Sequence, residues 1–287
     1  MPHGNRIGID LGGTKVVIAR YDAETFERQT EERLPTHAQA GLERILGDCI
    51  TVIEKMRTSD TLSVGVGIAG LIRQPEGIVI HTPNISGGDG VKAKEILEKA
   101  LNLPVAVEND ASCFALAEAR LGAGKGKRVV IGITMGTGVG GGIVIDGTVF
   151  QGSHGFAGEI GHMLLMPGKP PYHTDDMRGE VEQFLSGTAM GHRCSAAEKP
   201  EDYLEGAVCD WMQPEIFREV AWLITNLTYL LDPDIVVFGG SAGRALKHHL
   251  PKVLDELKKW TLPGTPLPEI AVAELDGSGA LGAALLS

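Results

Sequence analysis

The sequence predicts an α/β protein made of two successive units, each opening on a β-hairpin. Three observations predict it. Two glycine-rich turns, Asp10-Leu11-Gly12-Gly13-Thr14-Lys15 and Thr134-Met135-Gly136-Thr137-Gly138-Val139-Gly140-Gly141-Gly142, each follow one apolar run and precede another. Strand, glycine turn, strand reads as a hairpin, not as a strand feeding a helix. Behind each hairpin, strands alternate with helical periodicity, as in a mixed sheet with helices packed on it.

In chain order, residues 6–10, 15–21 and 26–34 read as three strands. Leu42, Ile45, Leu46, Cys49, Ile50 and Ile53 recur at helical spacing, which predicts a helix over 39–57. Leu62 to Ala69 is a buried strand, 91–101 a short helix and Val105-Ala106-Val107 a strand. Asn109-Asp110-Ala111 opens a helix to Leu121 with a natural N-cap. The pattern then restarts with strands 128–135, 138–146 and 148–151 and an irregular stretch over 152–179. Helices at 180–190 and 213–232, a strand at Ile235-Val236-Val237-Phe238, a helix over 243–259, a strand at Ile270-Ala271-Val272 and a small-residue helix from Gly279 to Leu286 complete the chain.

Composition narrows the function. A chain of 287 residues with 43% hydrophobic and 22% charged residues is an ordinary globular one. A net charge of −11 argues against a general nucleic-acid or anionic-membrane surface. No apolar run has the length of a membrane span, and Met1-Pro2-His3-Gly4-Asn5-Arg6 has no secretory apolar region. The first strand starts so early that no N-terminal DNA-binding domain is expected. Cys49, Cys113, Cys194 and Cys209 form no C-x-x-C pair and no zinc spacing, so reduced thiols in the cytoplasm are expected.

A tight glycine hairpin gathers backbone N–H groups into a concavity that suits phosphate. No Gly-Lys-Ser/Thr opens a helix here, which excludes a P-loop, and a Rossmann turn would need a helix after its glycines. Two such turns suggest a nucleoside triphosphate held from two sides. Asp110 stands where a strand meets a helix, the edge at which a carboxylate can take a hydroxyl proton in phosphoryl transfer. It can equally be a helix cap. Asp10 ends a strand beside the first turn, where an acid can hold magnesium or close an Asx-turn.

The ordered set Asp10-Leu11-Gly12-Gly13-Thr14-Lys15, Glu108-Asn109-Asp110-Ala111, Gly136-Thr137-Gly138-Val139-Gly140, Gly158-Glu159-Ile160-Gly161-His162 and Gly239-Gly240-Ser241 closely resembles the ROK family of sugar kinases and sugar-responsive repressors. The resemblance runs from about residue 6 to the C-terminal Gly279-Ala280-Leu281-Gly282-Ala283-Ala284. It implies the actin-like ATPase (ribonuclease H-like) fold: two α/β domains hinged over a cleft, here 1–114 with 276–287, and 115–275. It also implies ATP, Mg2+, phosphorylation of a hexose at its C6 hydroxyl, and a homodimer.

Carried over residue by residue, the resemblance makes Asp110 the catalytic base and Asp10 the magnesium residue, acting through water. Gly12, Gly13, Thr14, Lys15, Thr134, Gly136, Thr137 and Gly138 become phosphate contacts, and Gly239, Gly240 and Ser241 the adenosine loop. Asn84, Asn109, Asp110, Glu159, His162 and Glu182 become the sugar residues; carboxylates and neutral imidazoles suit a ring of hydroxyls. Glucose is the expected substrate. An N-acetylhexosamine kinase and a non-catalytic sugar-binding regulator are the alternatives, and polyphosphate is the alternative donor.

One stretch departs from the pattern. Most family members have Cys-x-Cys-Gly-x-x-Gly-Cys-x-Glu after the histidine, a structural zinc site with that histidine as fourth ligand. Here His173, Asp175 and Glu180 fall on the three cysteines and Glu182 on the final Glu. With His162 they make a harder donor set. The preferred expectation is a loop without zinc, ordered by polar hydrogen bonds or prolines.

Overall fold

The computed structural model describes residues 4–286. The chain divides into two compact units, one comprising Met1–Ala117, Phe150–Ala157 and Leu275–Ser287, the other Glu118–Val149 and Gly158–Glu274.

The first unit opens with β1 (Asn5–Leu11), β2 (Lys15–Asp22) and β3 (Arg28–Pro35), then α1 (Leu42–Met56) and β4 (Thr61–Ile68). A small hairpin, β5 (Leu71–Arg73) and β6 (Ile78–His81), precedes α2 (Ala93–Leu101), β7 (Val105–Asn109) and α3 (Asp110–Leu121). The sheet order is β3-β2-β1-β4-β7. The two hairpin pairings are antiparallel, and β4 and β7 add in parallel. Alternate apolar residues Ile7, Ile9 and Leu11 are fully buried, while the edge strand β3 is lined with charges that discourage pairing with another chain. Helix α1 buries Leu42, Ile45, Leu46, Cys49 and Ile53 of the stripe its periodicity predicts, with Met56 added and Ile50 only partly buried. Each such apolar side chain contributes about 1.5–3 kcal/mol on burial.

The second unit repeats the plan. It holds β8 (Val129–Met135), β9 (Val139–Ile145), β10 (Thr148–Val149), α4 (Glu182–Leu185), α5 (Gly187–Arg193), α6 (Gln213–Leu231), β11 (Ile235–Gly239), α7 (Gly240–Ala245), α8 (Leu250–Trp260) and β12 (Glu269–Val272). Its sheet order is β10-β9-β8-β11-β12, an antiparallel meander extended by two parallel strands, as in the first unit. The last helix, α9 (Ser278–Leu285), belongs to the first unit and lies on β1 and β4. Glycines in those strands make the docking possible: a Cβ on Gly65 would lie 1.7 Å from the Ala283 carbonyl oxygen.

Four features differ from the sequence reading. The β5–β6 hairpin stands where the sequence shows no strand; its two strands have only three and four residues, too short for a periodicity to register. The helix expected over 180–190 breaks at Ser186, whose side chain caps α5 by accepting from Ala189 N at 3.0 Å. The helix expected over 243–259 is two helices, with Pro251 in the first turn of the second. The expectation of four reduced thiols is also corrected. Cys194 and Cys209 form a disulfide with Cα atoms 6.2 Å apart, and Cys49 and Cys113 are buried free thiols. Two cysteines separated by fifteen positions carry no pairing signal of their own.

Candidate active site

In the first unit, the β1–β2 turn closes with Gly12 N donating to Lys15 O at 3.2 Å. Thr36, which sequence reasoning missed, clamps that turn: its hydroxyl donates to Gly12 O at 2.7 Å and its N–H to Thr14 O at 3.0 Å. Asn84 lies against the same turn, its Cβ 2.9 Å from where a Cβ on Gly13 would stand. Asp10, next to last in β1, lies against the first turn of α9; its Cγ would be 2.6 Å from a Cβ on Gly279. Burial pushes its carboxyl up from the ordinary value, against the pull of Lys15.

The β7–α3 junction divides two tasks between neighbours. Asn109 is the cap: its Oδ1 accepts from Ala111 N at 2.8 Å and Ser112 N at 3.1 Å, and its Nδ2 donates to Gly70 O at 3.0 Å. Asp110 is the first residue of α3, and its Oδ1 also accepts from Ala111 N, at 2.9 Å. The helix therefore has its cap without Asp110. Beneath them Glu108, 2% exposed, accepts from Gln151 Nε2 at 2.7 Å, Gln74 Nε2 at 3.1 Å and Asn109 N at 2.9 Å. Burial raises its carboxyl, and the Asn109 and Gln151 bonds oppose that. Nothing in the sequence marks Gln74 or Gln151 as its partners.

In the second unit, Thr134 pairs with Gly239 across β8 and β11, so the second glycine turn and the Gly239-Gly240-Ser241 turn leave adjacent strand ends. Gly240 has φ +74°, and a Cβ there would meet Met135 O at 2.3 Å. The turn itself closes with Gly136 N donating to Gly138 O at 3.0 Å. Around it runs the segment from α4 into α5. Glu182 Oε2 accepts from Val139 N at 2.8 Å, Gly187 N donates to Gly136 O at 2.7 Å, and the Thr188 hydroxyl donates to Thr137 O at 2.9 Å. Helix α5 is anchored at its far end, where Arg193 forks onto buried Glu219 at 2.7 and 2.9 Å. Burial pushes the Glu219 carboxyl up to about 7, with Arg193 pulling the other way.

Glu159 leads into a 3-10 turn, Ile160–His162. His162 Nδ1 lies 3.2 Å from Glu180 Oε2, and Arg178 Nη1 is also 3.2 Å from that oxygen. His173 and Asp175 do not join them: among the described residues, no three His, Cys, Asp or Glu side chains gather as a metal site. The loop is instead held by Gln183, which accepts from Gly179 N at 2.7 Å and Glu180 N at 3.2 Å and donates to Asp176 O at 2.5 Å. Tyr172 adds a ring stacked on His192 with centroids 4.7 Å apart.

The family model described as "ROK family" matches residues 6–287. The chain belongs to the ROK family. Among its ROK relatives, the N-acetyl-D-glucosamine kinase of Photobacterium profundum is 31% identical, covering 98% of each chain. The glucokinase of Streptomyces coelicolor is also 31% identical, over 99% of this chain and 98% of that one. The solved ROK glucokinase from Streptomyces griseus, in complex with glucose and AMPPNP, superposes with TM-score 0.79 at 29% identity over 99% of each chain. The fold is accordingly the actin-like ATPase fold of ROK kinases. No helix among the described residues is long and apolar enough to cross a membrane.

Proposed function

We propose that this ROK protein is an ATP-dependent kinase of the C6 hydroxyl of a hexose, with glucose as first substrate. The observation that carries the reading is the division of work at the β7–α3 junction. Asn109 supplies the helix cap, so the carboxylate of Asp110 stands where the cap does not require it. In this reading Asp110 takes the proton of the attacking hydroxyl as the phosphoryl group arrives. Asn84, Asn109, Glu159, His162 and Glu182 orient the sugar. Gly12, Gly13, Thr14 and Lys15 meet phosphate oxygens from the first turn. Thr134, Gly136, Thr137 and Gly138 meet them from the second, and Gly239, Gly240 and Ser241 border the adenosine.

Asp10 fits a magnesium ion, held through water. Its carboxyl is raised by burial with Lys15 as the opposing charge, so a hard cation would favour the ionised form. Bound there, the ion would neutralise charge on the triphosphate. The zinc-loop donors do not fit a closed structural zinc site, since four ligands are needed and only His162 and Glu180 approach one another. A homodimer in the cytoplasm completes the reading.

The names of the relatives support a sugar kinase and divide between glucose and N-acetylhexosamines. The test is a coupled assay of purified protein with ATP and magnesium against glucose, mannose, fructose, N-acetylglucosamine, N-acetylgalactosamine and N-acetylmannosamine, repeated with polyphosphate as donor. The expected result is the highest kcat/KM for glucose with ATP. A preference for an N-acetylated sugar would move the substrate assignment, and no turnover on any sugar would overturn the kinase reading.

A further inference from the structure

Glu182 is one of the residues proposed to orient the sugar, yet one of its oxygens accepts from the backbone N–H of Val139, inside the second glycine turn, at 2.8 Å. Gly138 shows that the chain makes room for this contact. Its φ lies outside the left-handed region, so its backbone does not require glycine. A Cβ at Gly138 would instead stand 2.4 Å from Glu182 Oε2. Two further bonds, from Gly187 N to Gly136 O and from the Thr188 hydroxyl to Thr137 O, tie the same short segment to the same turn. Segment and turn both lie in the second unit.

We infer that Glu182 is shared between the sugar and the nucleotide turn, so that binding of one ligand favours binding of the other, and that Thr188 is a positioning residue for that turn. The inference rests on the kinase reading above and deepens it. A carboxylate has two oxygens and accepts at both. With Oε2 on Val139 N–H, Oε1 remains to accept a sugar hydroxyl. A bound sugar then restricts the carboxylate to the rotamer that also holds the turn, and an ordered turn holds the carboxylate ready for the sugar. Each ligand lessens the ordering cost of the other, and linkage makes the effect reciprocal. Glutamine can keep its carbonyl oxygen on Val139 N–H, but it then presents an NH2 donor where the carboxylate presents Oε1, so a sugar hydroxyl that donates to Oε1 loses its acceptor.

Titration calorimetry with AMPPNP and magnesium, with and without glucose above each variant's own Kd, tests both parts. If the assay above selects another sugar, that sugar replaces glucose. In the wild type, sugar should tighten AMPPNP about 5- to 150-fold, the usual span of coupling between sites. Glu182→Gln should bring that ratio close to one. Thr188 is exposed, so Thr188→Val should fold normally. It should weaken AMPPNP by about 2- to 12-fold, the value of one hydrogen bond, with the sugar KM unchanged at saturating ATP, where the nucleotide itself orders the turn. Thr188→Ser should restore it. A Glu182→Gln protein that keeps the wild-type ratio overturns the sharing of Glu182, as does a wild type that phosphorylates hexose with no coupling. An unchanged AMPPNP Kd in Thr188→Val overturns the role of Thr188. A wild type that binds neither AMPPNP nor any hexose overturns the kinase reading itself, and the inference with it.

Discussion

Asp110→Asn should separate chemistry from folding. The substitution keeps the side-chain shape and an acceptor for Ala111 N, the 2.9 Å bond that Asp110 makes at the start of α3. The cap is untouched, because Asn109 Oδ1 holds Ala111 N and Ser112 N at 2.8 and 3.1 Å. What the helix loses is one negative charge at its N-terminus, about 0.3–1 kcal/mol. For a protein of this size that lowers the thermal midpoint by about 1–4 °C. Turnover should fall by the general-base contribution, about 10²–10⁴-fold, or about 3–5 kcal/mol of barrier. The assay is a coupled measurement of kcat at saturating sugar and ATP, with calorimetric sugar binding and a melting curve on the same preparation. A variant with near wild-type kcat would refute the base assignment. A midpoint lowered by tens of degrees would refute the claim that Asn109 carries the cap.

Four further outcomes are expected. Glu219→Ala should destabilise by about 1–3 kcal/mol, because it removes two bonds to the Arg193 guanidinium, whose side chain is 5% exposed, and leaves it Glu215 and the Phe184 carbonyl; denaturant unfolding at pH 7.5 checks it. The folded-state carboxyl of Glu219 is raised from 4.5 to about 7, so the native protein holds the extra proton across that window, and this group's contribution to stability falls as pH rises through it. Glu219→Gln should flatten that part of the stability–pH profile, and an unchanged slope would count against the assignment. Reducing the Cys194–Cys209 disulfide, which closes a short loop ahead of α6, should cost about 3 kcal/mol, seen as a lower melting temperature in reductant that is absent in Cys209→Ser. Chelation followed by magnesium restoration should leave kcat and the sugar KM unchanged, and a stoichiometric transition metal by elemental analysis would refute the zinc-free loop.

What the sequence discloses is whatever is encoded locally. Glycine turns between apolar runs locate both hairpins, and helical spacing locates the buried face of α1. The Asn109-Asp110 pair announces the start of α3, although not which of the two caps it. That choice depends on φ, ψ and side-chain direction at the junction, which residue type does not encode. Ser186-Gly187-Thr188 is a readable cap signal, masked because the apolar residues on both sides suggest one continuous helix. The second glycine turn reads as a concavity for phosphate, yet at Gly138 the requirement is space for a side chain more than forty residues away.

The contacts the sequence does not show share a physical origin. Partners brought together by tertiary folding leave no periodicity, so Thr36 on Gly12, Gln74 and Gln151 on Glu108, and Cys209 on Cys194 are invisible in the sequence. The loop after His162 shows why residue type alone leaves metal binding open when partners are unknown. His173, Asp175 and Glu180 are all competent metal ligands, but Glu180 faces His162 and Arg178, and the loop backbone is held by Gln183. A glutamine that accepts two N–H groups and donates to a carbonyl closes the segment without a charge to neutralise. Metal ligation needs several donors to converge on one point, whereas these bonds are distributed along the loop. That arrangement leaves His162 with a carboxylate at Nδ1, and in the neutral tautomer whose Nδ1–H donates to Glu180 the other ring nitrogen, Nε2, is an acceptor.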